Sequence, residues 1–229
     1  KYDDYGCAKL EILKNQAEGD LCILNKDLLG VKTSAETVEI TTIKDYSFKE
    51  SKLLGEHIKE NYFVVETVLK FLKISDYKSI MQEFINSFSG VKYRLQYKGT
   101  LKGVDFYNDA KSTNTSSTLA ALNSFGRKSV GLILGGKLRG DDQDFLAGLK
   151  SSESNISLFV FGESREYLRD QLEDSYKIAV KENLDDLVND IVVSEFDIIL
   201  FSPGYPSFDQ YKNYIERGEH FDKIIEKLF

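Results

Sequence analysis

Val130-Gly-Leu-Ile-Leu-Gly-Gly136 and Ile198-Ile-Leu-Phe-Ser-Pro-Gly204 decide the fold of this chain. Each is a short apolar run that stops abruptly at small or turn-forming residues. Consecutive apolar positions over so few residues, rich in branched side chains, mark strands buried on both faces, as in a parallel sheet covered by helices. On either side of them the pattern alternates. Extended stretches are expected at 92–97, 104–107, 157–161 and 177–180. Helical ones are expected at 115–123, 142–149, 164–172, 184–192 and about 208–228. Repeated strand-helix units predict an α/β fold with a doubly wound, Rossmann-like, mostly parallel sheet.

Before residue 90 the pattern differs. Short β-favouring runs at 21–24, 30–33 and 38–43 precede two amphipathic helical stretches, 51–73 and 75–88, with Ser75 as a start signal and Gly90 as a stop. A boundary near residue 90 therefore divides the chain into parts 1–90 and 91–229. Both prolines, Pro203 and Pro206, fall in one loop, and no repeat or Ser/Gly-rich linker occurs.

With 229 residues and 41% hydrophobic content the chain can bury two cores. Thirty Lys and Arg against 37 Asp and Glu give a net charge of -7, so no basic excess draws the chain to nucleic acid or to an anionic membrane surface. No apolar run approaches the ~20 residues of a membrane-spanning helix, and the first residues lack a signal-peptide core. The expected location is the cytoplasm. Cys7 and Cys22 suit neither a disulfide framework nor a metal knuckle and read as small buried hydrophobes. The chain opens on Lys1 rather than Met, which suggests a fragment.

Parallel sheets bind ligands outside the carboxyl ends of their strands, and three polar clusters follow expected strands here. Asn108-Asp-Ala-Lys-Ser-Thr-Asn-Thr115 enters a helix N-terminus, where free N–H groups and Lys111 can hold an anion; alternatively Thr113, Asn114 or Thr115 simply caps the helix, with Asp109 and Lys111 a surface pair. Gly135-Gly-Lys-Leu-Arg-Gly-Asp-Asp142 offers Arg139 as a bidentate grip for a carboxylate, or is an ordinary turn. Ser202-Pro-Gly-Tyr-Pro-Ser-Phe-Asp-Gln-Tyr211 is stiffened by its prolines. In it Ser207 either caps the last helix or binds a ligand carboxylate. His57 and His220, the only histidines, fall on separate helices, so no Ser-His-Asp set can form, and His220 reads as a solvated surface residue. Neither G-x-x-x-x-G-K-[ST] nor G-x-G-x-x-G occurs, which disfavours a self-sufficient ATPase or a dinucleotide oxidoreductase.

Taken together, Tyr107-Asn-Asp-Ala-Lys-Ser-Thr-Asn114, Leu134-Gly-Gly136 with Arg139, and Ser202-Pro-Gly-Tyr-Pro-Ser-Phe-Asp-Gln-Tyr-Lys-Asn-Tyr-Ile-Glu-Arg-Gly218 resemble the C-terminal domain of the Mur ligases, most closely the branch that adds D-glutamate. Gly55-Glu-His57, Asn61, Arg94 and Tyr5-Gly-Cys-Ala-Lys9 extend the resemblance over nearly the whole chain. It implies that 1–90 is the α/β tail of a central ATP-binding domain and 91–229 the complete C-terminal domain, the phosphate loop lying in a part not present. The activity it implies is ATP-dependent amide ligation in cytoplasmic peptidoglycan precursor synthesis. ATP phosphorylates the carboxylate of UDP-N-acetylmuramoyl-L-alanine, and the D-glutamate amine attacks the acyl phosphate, with magnesium (Mg2+) as the metal.

The resemblance also implies roles. Thr113, Arg139, Ser207 and the Phe208 backbone would hold D-glutamate, with Tyr214 lining that pocket. Lys111 would neutralise developing phosphate charge, and Asn61, Arg94 and Asp109 would contact the nucleotide. Lys9 matches a lysine carried as a carbamate that helps hold a second magnesium. Ile58 stands where the family usually has Asn, Tyr93 where it has His, Gln96 where Glu is common, and Arg139 where some members carry Lys. The alternatives are another Mur ligase, a ligase like folylpolyglutamate synthase, or a binding module without catalysis.

Overall fold

In the computed structural model the chain divides into two compact units, Lys1–Phe88 and Ser89–Phe229. Residues 2–49, 51, 53, 56–139 and 142–229 are described. Gly55, Gly140 and Asp141, singled out above, lie outside them.

The first unit runs α1 (Tyr2–Leu10), β1 (Leu21–Leu24), β2 (Glu36–Glu39), α2 (Glu56–Phe71) and α3 (Tyr77–Ser87). β1 and β2 pair in parallel, Leu21 opposite Glu36. Two small cores form among the described residues. Ile43, Tyr62, Met81 and Ile85 are buried with α2 and α3, while Leu13, Cys22 and Leu24 close beside β1. The stretch 30–33 is a turn, not a strand, because Val31 N–H donates to the Leu28 carbonyl at 3.1 Å. The second strand begins earlier than the 38–43 expected, at Glu36. Helix α3 starts at Tyr77 after Asp76, so Ser75 is not its cap. Cys22 is buried as expected, but Cys7 is exposed, and both are free thiols.

The second unit is built on a six-stranded sheet of β3 (Gln96–Leu101), β4 (Val104–Asn108), β5 (Ser129–Gly135), β6 (Asn155–Phe161), β7 (Lys177–Val180) and β8 (Ile198–Gly204). The spatial order is β3-β4-β8-β5-β6-β7. Only the β3–β4 pair is antiparallel. Helices α4 (Thr115–Asn123), α5 (Gln143–Lys150), α6 (Arg165–Leu172), α7 (Leu184–Asn189) and α8 (Tyr214–Ile225) connect or follow the strands. The two deciding runs are the central strands: Leu132, Ile133, Leu134, Ile199, Leu200 and Phe201 have no exposed surface, each contributing about 2 kcal/mol by burial.

Boundaries differ from expectation at β3, which also runs on to Leu101 rather than 97, at α7, which stops at Asn189 rather than 192, and at α8. β3 begins at Gln96 rather than 92, because Tyr93 and Leu95 adopt positive φ of 64° and 41° and break the extended run. α8 begins at Tyr214 rather than 208, because the chain from Ser207 to Tyr211 turns on itself, with Gln210 and Tyr211 N–H groups donating to the Ser207 carbonyl.

Candidate functional site

The strand order sets β4, β8 and β5 side by side, and their carboxyl ends are level: Asn108 pairs with Phe201, and Phe201 with Ile133. All three polar clusters therefore emerge on one edge of the sheet, at the carboxyl ends of its strands, the side on which parallel sheets take their ligands. The antiparallel register of β3 adds its own start, Gln96 lying opposite Asn108. This carries Arg94 to the same edge.

In the loop after β4, Asn108 is fully buried and fixed from both ends. Its amide donates to the Gly218 carbonyl and to Asp222 Oδ1 at 2.9 and 2.8 Å, and its oxygen accepts from the Ala110 N–H. Asp109 is also buried. Its Oδ1 accepts from the Leu95 N–H, and its Oδ2 from the hydroxyls of Ser112 and Ser202 at 2.6 and 2.7 Å. Loss of water raises its pKa above the ordinary aspartate value, opposed by the two serines, the Leu95 N–H and the charge of Arg94. Both carboxylate oxygens are thus taken by protein donors. Lys111 is held by its backbone, which donates to the Tyr93 carbonyl, and its Nζ rests over the Tyr214 ring. Asn114 is the cap of α4, accepting from the Ser117 N–H at 2.9 Å. Thr113 remains half-buried in the loop before it.

The loops after β5 and β8 are laced to each other and to the first. Lys137 N–H donates to the Pro206 carbonyl at 2.7 Å and Gly204 N–H to the Ser112 carbonyl at 2.9 Å. Gly136 sits at φ 138°, where an added Cβ would collide with the Pro206 carbonyl and come 3.0 Å from Arg217 Nη1. Only glycine lets the chains approach this closely. Tyr205 is buried and donates to Asp142 Oδ2 at 2.7 Å. Arg139 and Phe208 are exposed, Phe208 at 62%, while Ser207 is buried at 2%. The last helix is capped by Asn213, whose side chain accepts from the N–H groups of Ile215 and Glu216. Ser207 is not its cap. His220, read as solvated, bridges Tyr211 and Asp185 at 2.8 and 2.9 Å.

To one residue at this edge the sequence assigns no role. Arg217 of α8 is wholly buried and donates to three carbonyls, Ala110, Gly135 and Tyr205, one from each loop or strand end. Burial pulls its pKa down to about 10, while Asp209 and Tyr211 oppose the shift. Its place in the Glu-Arg-Gly218 stretch was legible, but its partners lie 12 to 107 residues away.

The chain is 33% identical over 230 residues to a UDP-N-acetylmuramoylalanine–D-glutamate ligase of Lawsonia intracellularis, covering 99% of this chain and 51% of that protein. The likeness runs nearly the full length of this chain, and the relatives that share it carry the same name. A second relative of the same name, from Aquifex aeolicus, is 31% identical over 246 residues, covering 99% of this chain and 58% of that one. The chain spans about half the length of the curated relatives it matches. Its fold matches that of a MurF ligase from Thermotoga maritima solved in complex with ADP, with a TM-score of 0.60 at 16% identity over 96% of this chain and 57% of that one. No protein-family model matches the chain.

Among the expected site residues, Lys111, Thr113, Arg139, Ser207, Phe208, Arg94 and Asp109 all lie at the one sheet edge, with Tyr214 under Lys111. Lys9 and Asn61 belong to the first unit. Lys9 stands exposed in the last turn of α1, and Asn61 is exposed on α2.

Proposed function

We propose that this chain is the C-terminal portion of an ATP-dependent ligase that joins D-glutamate to UDP-N-acetylmuramoyl-L-alanine in the cytoplasm. Residues 1–90 on this reading close a central ATP-binding domain, and 91–229 form the domain that receives the amino acid. The observation that carries the reading is the meeting of three loops at the ends of β4, β8 and β5, bearing Lys111, Thr113, Arg139 and Ser207. Together with the relatives' shared name it favours D-glutamate over a diamino acid, which would call for acidic recognition.

The reaction needs a carboxylate to be phosphorylated and an amine to be aligned with the resulting acyl phosphate, whose carbon–oxygen bond breaks as the amide forms and phosphate leaves. In this chain Arg139 grips one glutamate carboxylate through a fork of N–H donors, and Thr113, Ser207 and the Phe208 N–H hold the other. Lys111, steadied over Tyr214, stabilises charge developing on the transferred phosphoryl group. Arg94, exposed beside the buried Asp109, is placed for the nucleotide. Asp109 serves it by bracing the Leu95 N–H next to it. With Lys137, these cations suit a polyanionic nucleotide and a dicarboxylate.

Magnesium fits the described side chains less well. No group of three His, Cys, Asp or Glu that could hold a metal occurs among the described residues, so a carbamylated Lys9 would supply the chain's contribution.

The test is phosphate release by the natural-length protein with ATP, magnesium and UDP-N-acetylmuramoyl-L-alanine, across D-glutamate, L-lysine, diaminopimelate and D-alanyl-D-alanine. The 229-residue chain serves as control. Turnover with D-glutamate alone, and none from the short chain, is the expected result. Turnover with another amino acid overturns the roles of Arg139 and Ser207, and none with any overturns the enzyme reading.

A further inference from the structure

We propose that Arg217 is the positioning residue of this site: one buried guanidinium that fixes the three ligand loops relative to each other. The inference rests on the reading of the site given above and deepens it. Arg217 touches none of the proposed substrates. It acts through Ala110, one residue before Lys111; through Gly135, at the start of the loop that carries Arg139; and through Tyr205, two residues before Ser207.

The geometry points to this role. Nη1 donates to Gly135 O and Tyr205 O at 3.1 and 2.9 Å, and Nη2 to Ala110 O at 3.1 Å. Three carbonyls that close three separate chain segments thus converge on one planar group, whose rigid fork fixes their mutual spacing as a flexible ammonium cannot. Placing a cation here is costly, since the residue has no exposed surface, its Nε has no hydrogen-bond partner among the described residues, and Asp209 offsets its burial only by attraction at a distance, without an ion-pair contact. A hydrophobic side chain of similar volume would fill the space without that cost. What the guanidinium supplies in exchange is a fixed relation between loops that otherwise touch only through isolated bonds such as Lys137 N to Pro206 O and Gly204 N to Ser112 O. Glycine at 136 makes room for Nη1, and glycine at 218, where a Cβ would lie 2.6 Å from the Tyr93 ring, seats α8 against Tyr93, whose own carbonyl holds the Lys111 N–H. The helix that carries Arg217 therefore braces the Lys111 loop twice.

The experiment uses the natural-length protein with Arg217→Lys and Arg217→Met. Folding is followed by circular dichroism, rates are measured against D-glutamate and ATP separately, and amide hydrogen exchange is followed at 110–113, 136–139, 205, 207 and 208. In Arg217→Lys we expect an intact fold, a KM for D-glutamate raised about tenfold with that for ATP within about twofold, and faster exchange in the three loops while β4, β5 and β8 stay protected. A hydrogen bond to a charged group is worth about this factor. Unchanged KM for D-glutamate in both folded variants, or equal rises for both substrates, overturns the proposal. So does loss of the fold in Arg217→Lys, which would place the residue in the core's support rather than the loops'. Should the unsubstituted protein release phosphate without depending on D-glutamate, it is the substrate reading that fails. The exchange measurement then decides alone, and unchanged loop exchange overturns the positioning role.

Discussion

The ammonium nitrogen of Lys111 lies 4.0 Å from the centroid of the Tyr214 ring, joining the loop after β4 to the first turn of α8. A cation over an aromatic face at a partly exposed position is worth about 1 kcal/mol, enough to fix where the charge is presented and too little to hold the fold. Lys111→Ala in the natural-length protein is expected to lower turnover about a hundredfold or more while moving the unfolding free energy by about 1 kcal/mol at most. Parallel losses of activity and thermal stability would refute the assignment.

Asp109 makes a prediction of unusual sign. Its folded-state pKa is raised above its ordinary 3.8, by desolvation first, so the native state holds this proton more tightly than the unfolded one. Its contribution to stability is therefore greatest below pH 3.8 and declines as pH rises through the folded value. Asp109→Asn removes that decline, since the Ser112 and Ser202 hydroxyls can rotate to accept from the new amide. Thermal unfolding of both proteins from pH 4 upward should show the native protein losing ground to the variant as pH increases. A native advantage that grew with pH would contradict the burial argument.

How much of this could be read beforehand depended on where the information sat. β5 and β8 were legible because strands covered on both faces must be apolar throughout. The three clusters were legible because they follow those strands directly. The start of α8 is hidden in the sequence because Pro206-Ser207 imitates a helix entry, whereas the working cap, Asn213 with Glu216 three residues on, has the same chemistry a turn and a half later. The break before β3 depends on positive φ at Tyr93 and Leu95, residues that give no local warning of it. Cys7 resembled Cys22 in sequence and differs only through tertiary placement. Arg217 looked like one more charge on a polar helix, since nothing local reveals that three distant carbonyls meet it.

Gly136→Ala tests the close approach of the β5 and β8 loops. The added methyl meets the Pro206 carbonyl at a backbone angle that side chains rarely adopt, and the expected cost is about 2 kcal/mol or more. Urea denaturation measures it. A midpoint matching the native protein would show that the two loops separate without penalty.

Arg139 is exposed, so it can be changed without disturbing the core. Arg139→Ala should raise KM for D-glutamate about tenfold or more, the scale of a lost charge-assisted hydrogen bond, with the unfolding temperature within about 2 °C. Arg139→Lys should recover part of the loss, since the charge returns without the fork. Unaltered KM in the alanine variant would remove Arg139 from the pocket.

The position of β8 has a consequence for how the second unit is made. The last strand in sequence is a middle strand in space, lying between β4 and β5. During synthesis, β4, β5, β6 and β7 leave the ribosome before the strand that joins β4 to the rest exists. The sheet closes only when residues 198–204 arrive, and α8 with its arginine follows after that. A nascent chain halted before Ile198 thus holds two unjoined sheet fragments with bare inner edges, the state in which such a domain is most exposed to aggregation.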